Sequence, residues 1–169
     1  MNRPLPNTYW IIPTRILAGE YPGHEDEEEA RTRLERLRQA GVDTFIDLTE
    51  EGELPPYSHW LPQHTEYLRS PIVDTGVPNN VAQIQTLLSK IRDALLRGRS
   101  IYVHCRAGIG RTGLVVGCFL AEEEANGAMA LKVLNRLWRQ SERSASWSKI
   151  PQTNQQADYI RHWLKFAKN

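Results

Sequence analysis

The reading of this chain turns on His104-Cys105-Arg106-Ala107-Gly108-Ile109-Gly110-Arg111-Thr112. It follows the β-branched and aromatic run Arg99-Ser100-Ile101-Tyr102-Val103 and precedes the apolar run from Gly113 to Ala121, so the order is strand, glycine-bearing loop, helix. Such a loop builds an anion site. Its successive N–H groups, here from Arg106, Ala107, Gly108, Ile109, Gly110 and Arg111, turn inward, and the helix N-terminus adds unpaired donors and the positive end of its dipole. Gly108 and Gly110 permit the curl. A thiol, Cys105, stands at the start of the bowl, where a helix N-terminus and fixed positive charge favour the thiolate. Arg111 stands at its end, with a planar fork that fits two oxygens of a phosphoryl group. Thr112 is expected to donate its hydroxyl to the sulfur, and His104 to hold the loop from behind. Together these side chains describe a nucleophile aimed at phosphorus.

This stretch resembles the cysteine-dependent protein tyrosine phosphatases, whose pattern is His-Cys-x5-Arg-Ser/Thr. The wording Ala107-Gly108-Ile109-Gly110-Arg111-Thr112-Gly113 is similar to the small dual-specificity branch, near the kinase-associated and cell-cycle phosphatases. Cleavage of a phosphate ester of tyrosine, serine or threonine also needs a proton for the departing oxygen. Asp74 fits that need, lying 31 positions before Cys105 in Pro71-Ile72-Val73-Asp74-Thr75-Gly76-Val77-Pro78, which resembles the branch's acid loop. Val73 stands where the larger classical subclass has its Trp-Pro-Asp proline. Asp43 and Asp47 are rivals for the acid, and a turn residue or helix cap is the plainer reading of Asp74. Gln152-Thr153-Asn154-Gln155-Gln156 resembles the family's Gln-Thr-x-x-Gln segment. The resemblance makes Gln152 the holder of the hydrolytic water and Gln156 its companion, against the alternative that these glutamines decorate an exposed first turn. It also makes Tyr57, His59 and Trp60 candidates for the pocket rim.

The 169 residues suffice for one hydrophobic core and are read as a single domain, 1–169. Twenty-one basic and 20 acidic residues give a net charge of +1, which argues against general nucleic-acid binding. Two cysteines make no disulfide framework, and a reactive thiol calls for a reducing compartment. The first residues show no apolar core of signal-peptide length, and no run approaches a membrane span, so a cytoplasmic protein is expected. No His and carboxylate spacing suggests a metal, and no cofactor is implied.

Elsewhere, Tyr9–Ile12 and Arg15–Gly19 read as a hairpin across Pro13-Thr14. An amphipathic helix with Ala30, Leu34 and Leu37 inward ends at Gly41, and a buried strand covers 42–48. Glu66–Ile72 reads as another strand. Val81, Ile84, Leu88, Ile91 and Leu95 mark a crossover helix, so the strands on either side of it should be parallel. A helix from Gly113 to Ala125 is apolar nearly all round and contains Cys118 as a core residue. The next carries Met129, Val133, Leu134, Leu137 and Trp138 on one side, and 141–149 is a polar loop. The last helix follows Ile150-Pro151. Alternation of strands and helices predicts an α/β fold of three layers, a central, mostly parallel sheet flanked by helices, with the Cys105 loop at the carboxyl end of a central strand.

The implied function is a phosphatase acting on phosphotyrosine in proteins. The compact chain has no insertion to deepen its pocket, so phosphoserine and phosphothreonine are also admitted. Ile109 occupies the position where lipid phosphatases of the family place a lysine, which favours protein substrates, while Arg106 keeps phosphoinositides or other small phosphate esters as an alternative. A second alternative is a phosphoprotein-binding module that has lost turnover. A thiol-based redox enzyme is a third, disfavoured because Cys118 is badly placed and no Cys-x-x-Cys occurs. The expected partner is a phosphoprotein or phosphopeptide, and the expected state a monomer.

Overall fold

Short apolar runs alternating with amphipathic stretches fold into a sheet covered on both faces. The computed structural model describes residues 2–168. Its strands are β1 (Thr8–Ile12), β2 (Ile16–Gly19), β3 (Thr44–Asp47), β4 (Glu66–Arg69) and β5 (Ile101–His104). Its helices are α1 (Glu27–Gln39), α2 (Val81–Leu96), α3 (Gly110–Glu123), α4 (Gly127–Trp138) and α5 (Asn154–Phe166). The strand order is β1-β2-β5-β3-β4. β1 and β2 form the expected antiparallel hairpin, and every other pairing is parallel. Accordingly α2 returns the chain from the edge strand β4 to the central strand β5.

The register sets the position of everything that follows. Gly19 of β2 and Asp47 of β3 both lie beside His104 of β5, and Arg69 of β4 lies beside Asp47. Four parallel strands therefore end at one level, the carboxyl edge where open α/β sheets present their ligands. On one face, Leu34 and Leu37 of α1 pack with Trp10, Leu17, Phe45 and Tyr102. On the other, α2, α3, α4 and α5 cover Ile16, Ala18, Ile46 and Val103, with α3 innermost.

Local signals explain the helix starts. Asp26, Asn80, Asn126 and Thr153 each accept the backbone N–H that an N-cap should satisfy in α1, α2, α4 and α5. α3 differs. It has no side-chain cap, and it begins at Gly110, three residues before the expected Gly113. The helix thus takes Arg111 and Thr112 into its first turn and leaves its uncapped end facing the Cys105 loop. The inward side of α4 matches expectation at Leu134 and Trp138, with Val133 and Leu137 packed partly buried against the core, and differs at Met129. Its fully buried residues are Gly127, Ala130, Leu134 and Trp138, the last three stepping by four, while Met129 is one position round the helix and 44% exposed.

Where α4 begins, Gly127 meets α5 backbone to backbone: a Cβ there would lie 2.5 Å from the Ile160 carbonyl oxygen and 2.6 Å from that of Arg161. Neither obstacle can swing aside as a side chain could. Gly127→Ala should therefore cost roughly 2 kcal/mol or more of unfolding free energy, read as a lower urea midpoint. Wild-type stability in that variant would mean that α4 and α5 do not pack this closely.

Candidate active site

β5 ends in His104, whose ring is completely buried. Burial is the main reason that its pKa falls from 6.5 to about 4, so the ring is neutral at physiological pH. Nδ1 lies 3.4 Å from the Cys105 carbonyl oxygen, and Nε2 lies 2.6 Å from the Tyr57 hydroxyl. The consistent tautomer has Nδ1–H donating to that carbonyl and the Tyr57 O–H, kept protonated by burial, donating to Nε2. His104 does hold the loop from behind. Tyr57, expected at the rim, instead lies beneath it at 1% exposure, because its hydroxyl is the partner the buried imidazole requires. His59 is exposed, and Trp60 sits under the Arg31 guanidinium at 5.6 Å. Trp60 lines a cleft on the α1 side with Arg31, Leu34 and Phe45 that includes no residue of the loop.

Beside His104 lies the rival acid Asp47, also fully buried. Its Oδ1 accepts from the Thr49 N–H (2.9 Å) and hydroxyl (2.6 Å), and its Oδ2 from the Tyr67 hydroxyl (2.8 Å) and Arg69 (3.3 Å). Burial works against its charge, but its neighbours outweigh burial and lower its pKa. Those neighbours are the His104 ring first, then the Thr49 hydroxyl and N–H and the Tyr67 hydroxyl. Asp43 accepts from the Ser100 N–H at the opposite end of the strands.

The loop itself runs from Cys105, 3% exposed, to the start of α3. Gly108 has φ +75°, and a Cβ there would stand 2.5 Å from the Gly19 carbonyl carbon, so only glycine fits. The Tyr21 N–H donates to the Arg106 carbonyl (3.0 Å) and the Tyr9 hydroxyl to that of Gly108 (3.1 Å). Among the described residues, no backbone acceptor takes the N–H groups of Arg106 to Ile109. Cys118 lies inside α3, fully buried, where burial pushes its thiol well up.

Arg111 reaches over this loop with its side chain entirely buried. Its two terminal nitrogens meet Glu53 end-on, Nη1 to Oε2 and Nη2 to Oε1 at 2.7 Å each, and Nη1 also donates to the Ile72 carbonyl (3.2 Å). The hydrogen bonds that Glu53 accepts, from Arg111 first and then from the Glu50 N–H, bring its pKa to about 2. Sequence reading missed Glu53, which sits in a loop with Glu50 and Glu51. The available signal was that a buried guanidinium needs a carboxylate. What selects Glu53 is a turn in which its N–H donates to the Glu50 carbonyl and its own carboxylate accepts from the Glu50 N–H. Arg111 Nε, on the side-on edge of the guanidinium, is buried and has no partner among the described residues. The same holds for Thr112 Oγ1, so the expected bond from Thr112 to the Cys105 sulfur is not formed; with Thr112 in the first turn of α3, its hydroxyl is left buried and unpaired.

Asp74 comes to the same edge. Its Oδ1 lies 3.3 Å from Arg111 Nη2 and accepts the Thr75 N–H at 3.0 Å, while its side chain remains half exposed. Arg106 projects outward, with Nε 3.4 Å from Glu53 Oε1. Gln156 does not decorate an exposed turn. It is fully buried, completes a capping box with Thr153, and donates from Nε2 to the Gly76 carbonyl at 2.9 Å, tying the Asp74 loop to α5. Gln152 is exposed, yet both glutamines lean over the start of α3: a Cβ on Gly110 would be 2.9 Å from Gln152 Oε1 and 3.2 Å from Gln156 Nε2.

A neutral buried histidine leaves a signature in stability. The folded value for His104 is below the ordinary one, so as pH falls the unfolded chain takes the proton first. Its contribution is intact above about pH 6.5 and is lost toward pH 4, by up to roughly 3 kcal/mol. Denaturant unfolding between pH 6.5 and 5 should show this slope in wild type and a flatter one in His104→Asn; parallel slopes would contradict it.

The chain is similar to known proteins in sequence and in fold. The family described as PTP-SAK, the Swiss Army Knife protein DSP-PTPase phosphatase domain, matches residues 5–162. "Putative tyrosine phosphatase 067L" of Invertebrate iridescent virus 3 is 38% identical over 117 residues, 66% of this chain and 45% of the viral protein. Phosphatidylglycerophosphate phosphatase PTPMT2 of Arabidopsis thaliana is 32% identical over 111 residues, 65% of this chain and 46% of the plant protein. The chain spans about half the length of the curated relatives it matches. Among solved structures, Tk-PTP in the active form aligns with a TM-score of 0.74 at 21% identity, covering 95% of this chain and 97% of the other. PTPMT1 in complex with PI(5)P aligns with a TM-score of 0.70 at 23% identity, covering 93% and 94%. These likenesses establish the fold, and with the family match over nearly the whole chain they make it a member of the DSP-PTPase phosphatase family.

Proposed function

We propose that this protein hydrolyses phosphate monoesters through a cysteinyl-phosphate intermediate, with phosphotyrosine in proteins as its main substrate. The observation that carries the reading is the side-on edge of Arg111. Glu53 occupies the end-on fork, whereas Nε lacks a partner and Nη2 has Asp74 beside it, all above a loop whose amides are free. A phosphoryl group bound there meets a guanidinium already fixed in place, so little reorganisation is needed as charge moves onto its oxygens.

In the first step the Cys105 sulfur forms a bond to phosphorus as the bond to the ester oxygen breaks, and protonated Asp74 gives its proton to that oxygen. The amides of Arg106 to Gly110 and the Arg111 edge hold the equatorial oxygens. In the second, water attacks phosphorus, Asp74 takes its proton, and the sulfur leaves as thiolate with release of inorganic phosphate. Gln152 orients this water, and Gln156 keeps the Asp74 loop against α5. No metal or cofactor takes part. Val73, 59% exposed immediately before Asp74, supplies an apolar lip suited to an aromatic ring. A pocket without deepening insertions also admits phosphoserine and phosphothreonine. Residues 1–169 act as one domain and, in our reading, as a monomer in a reducing, cytoplasmic setting. Among the described residues no helix is long and apolar enough to cross a membrane.

A second reading, a lipid or other small phosphate ester as substrate, is favoured by the half-exposed Arg106 and by the plant relative named as a phosphatidylglycerophosphate phosphatase. Turnover of phosphotyrosyl, phosphoseryl and phosphothreonyl peptides should be compared with that of phosphoinositides in vesicles. Tyrosyl peptides should lead by at least about tenfold in kcat/KM, a difference near 1.4 kcal/mol; preference for the lipid would overturn the protein assignment. Cys105→Ser should abolish turnover of all of them. Asp74→Asn should lose about a hundredfold or more on peptide esters and far less on an activated aryl phosphate. Equal losses on both would remove Asp74 from the role of acid.

A further inference from the structure

A bowl of inward N–H groups requires its carbonyls to face outward, because C=O and N–H of one peptide plane point in opposite directions. Holding the Arg106 carbonyl, as the Tyr21 N–H does, aims the N–H of Ala107; holding that of Gly108, as Tyr9 does, aims the N–H of Ile109. Between them lies the peptide joining Ala107 to Gly108. It is the one most able to turn over, since Gly108 has no side chain to resist a change of φ. Its carbonyl is held by a residue far away in sequence, Arg143, which the sequence places in a featureless polar loop and the structure places in the short turn Glu142–Ala145. Arg143 Nη1 donates to the Ala107 carbonyl at 2.7 Å.

Arg143 is itself fixed. Its Nη2 meets Glu20 Oε2 at 3.2 Å, and its backbone N–H donates to Asn7 Oδ1 at 3.1 Å. Glu20 follows β2 immediately and has a largely buried carboxylate, which Arg33 contacts at 3.2 Å from the α1 side and Asn7 Nδ2 at 2.9 Å. The guanidinium thus spans from a buried acid to a carbonyl of the Cys105 loop, at 31% side-chain exposure.

We propose that Arg143, oriented by Glu20, is a positioning residue that locks the Ala107–Gly108 peptide with the Gly108 N–H turned into the bowl. This rests on the reading that the bowl binds a phosphoryl group. Without the lock, the peptide can turn its carbonyl toward the anion, replacing an attractive dipole with a repulsive one. The group acts on oxyanion binding and turnover and touches no reacting atom.

Arg143→Met keeps most of the stem and removes the donor. The readouts are kcat and KM on an activated aryl phosphate, affinity for tungstate by calorimetry, and melting temperature. The expected result is a folded protein in which kcat and tungstate affinity fall together, by roughly ten- to hundredfold, with KM changed much less. Arg143→Lys, which retains a donor, should recover part of both. If Arg143→Met does not fold, Glu20→Gln takes its place with a smaller loss of the same kind, and a Glu20→Gln, Arg143→Lys double variant should fall short of the sum of its singles. A folded Arg143→Met, or failing that a folded Glu20→Gln, with wild-type kcat and tungstate affinity overturns the proposal, even if its melting temperature drops. Wild-type protein that neither hydrolyses the aryl phosphate nor binds tungstate would overturn the phosphatase reading and the lock with it.

Discussion

Amide groups can converge on one point only if each peptide that contributes an N–H turns its carbonyl back into the protein, and a buried carbonyl needs a donor. Much of this structure follows from that constraint. The donors to the loop come from Tyr9 on β1, the backbone of Tyr21 after β2, Arg143 from the turn after α4, and His104 at the end of β5. The amino-terminal hairpin, which carries no catalytic group in the proposed mechanism, is thereby part of the site's support. Its closeness to the loop is enforced by Gly108 against Gly19, where no side chain could intervene.

A second requirement concerns charge. Arg111 is wholly buried, and an unpaired guanidinium there would be severely destabilising, so Glu53 stands opposite it in the free protein. The pairing is end-on. It neutralises the cation while leaving Nε without a partner, in a guanidinium close enough to Cys105 for the two to interact electrostatically. Beneath, His104 is kept uncharged by burial, and the Asp47 carboxylate is absorbed by Thr49 and Tyr67. The one cation of the floor, Arg69, is paired with Asp47, so the floor adds no unpaired cation to compete with Arg111 for an incoming anion.

The parts of this arrangement that were legible in the sequence are those whose chemistry is local. His104 to Thr112 announced strand, loop and helix together, and the hairpin across Pro13-Thr14 and helix α2 followed from local pattern, with Ile84, Leu88 and Ile91 buried as expected and Leu87 and Ala94 added to them. The parts that were not legible depend on long-range pairing. Glu53 meets Arg111 across 58 positions, and Arg143 meets Ala107 across 36. Neither residue differs in composition from neighbours that face solvent, and only the fold distinguishes them. The error over Tyr57 has the same origin. An aromatic in a Pro-rich loop is compatible with a pocket rim or with a buried partner for a histidine, and the register that sets His104 beside Asp47 decides between them. The early start of α3 was missed because Gly108 and Gly110 read as loop, and glycine at 110 weakens helix propensity, which packing of the helix in the centre of the core overrides.

The two cysteines show how far position outweighs composition. Both are buried and both are unpaired. Cys118 lies within α3, where backbone N–H groups are spent on the helix itself and the nearest charge is Glu122, so burial and that carboxylate hold the thiol protonated. Cys105 lies just before the same helix, on the side where its amides are unspent and a fixed guanidinium is near. One helix thereby holds one sulfur in its interior and sets the other, the nucleophile of the proposed mechanism, at its amino end, and the difference needs no residue beyond those that already form the loop.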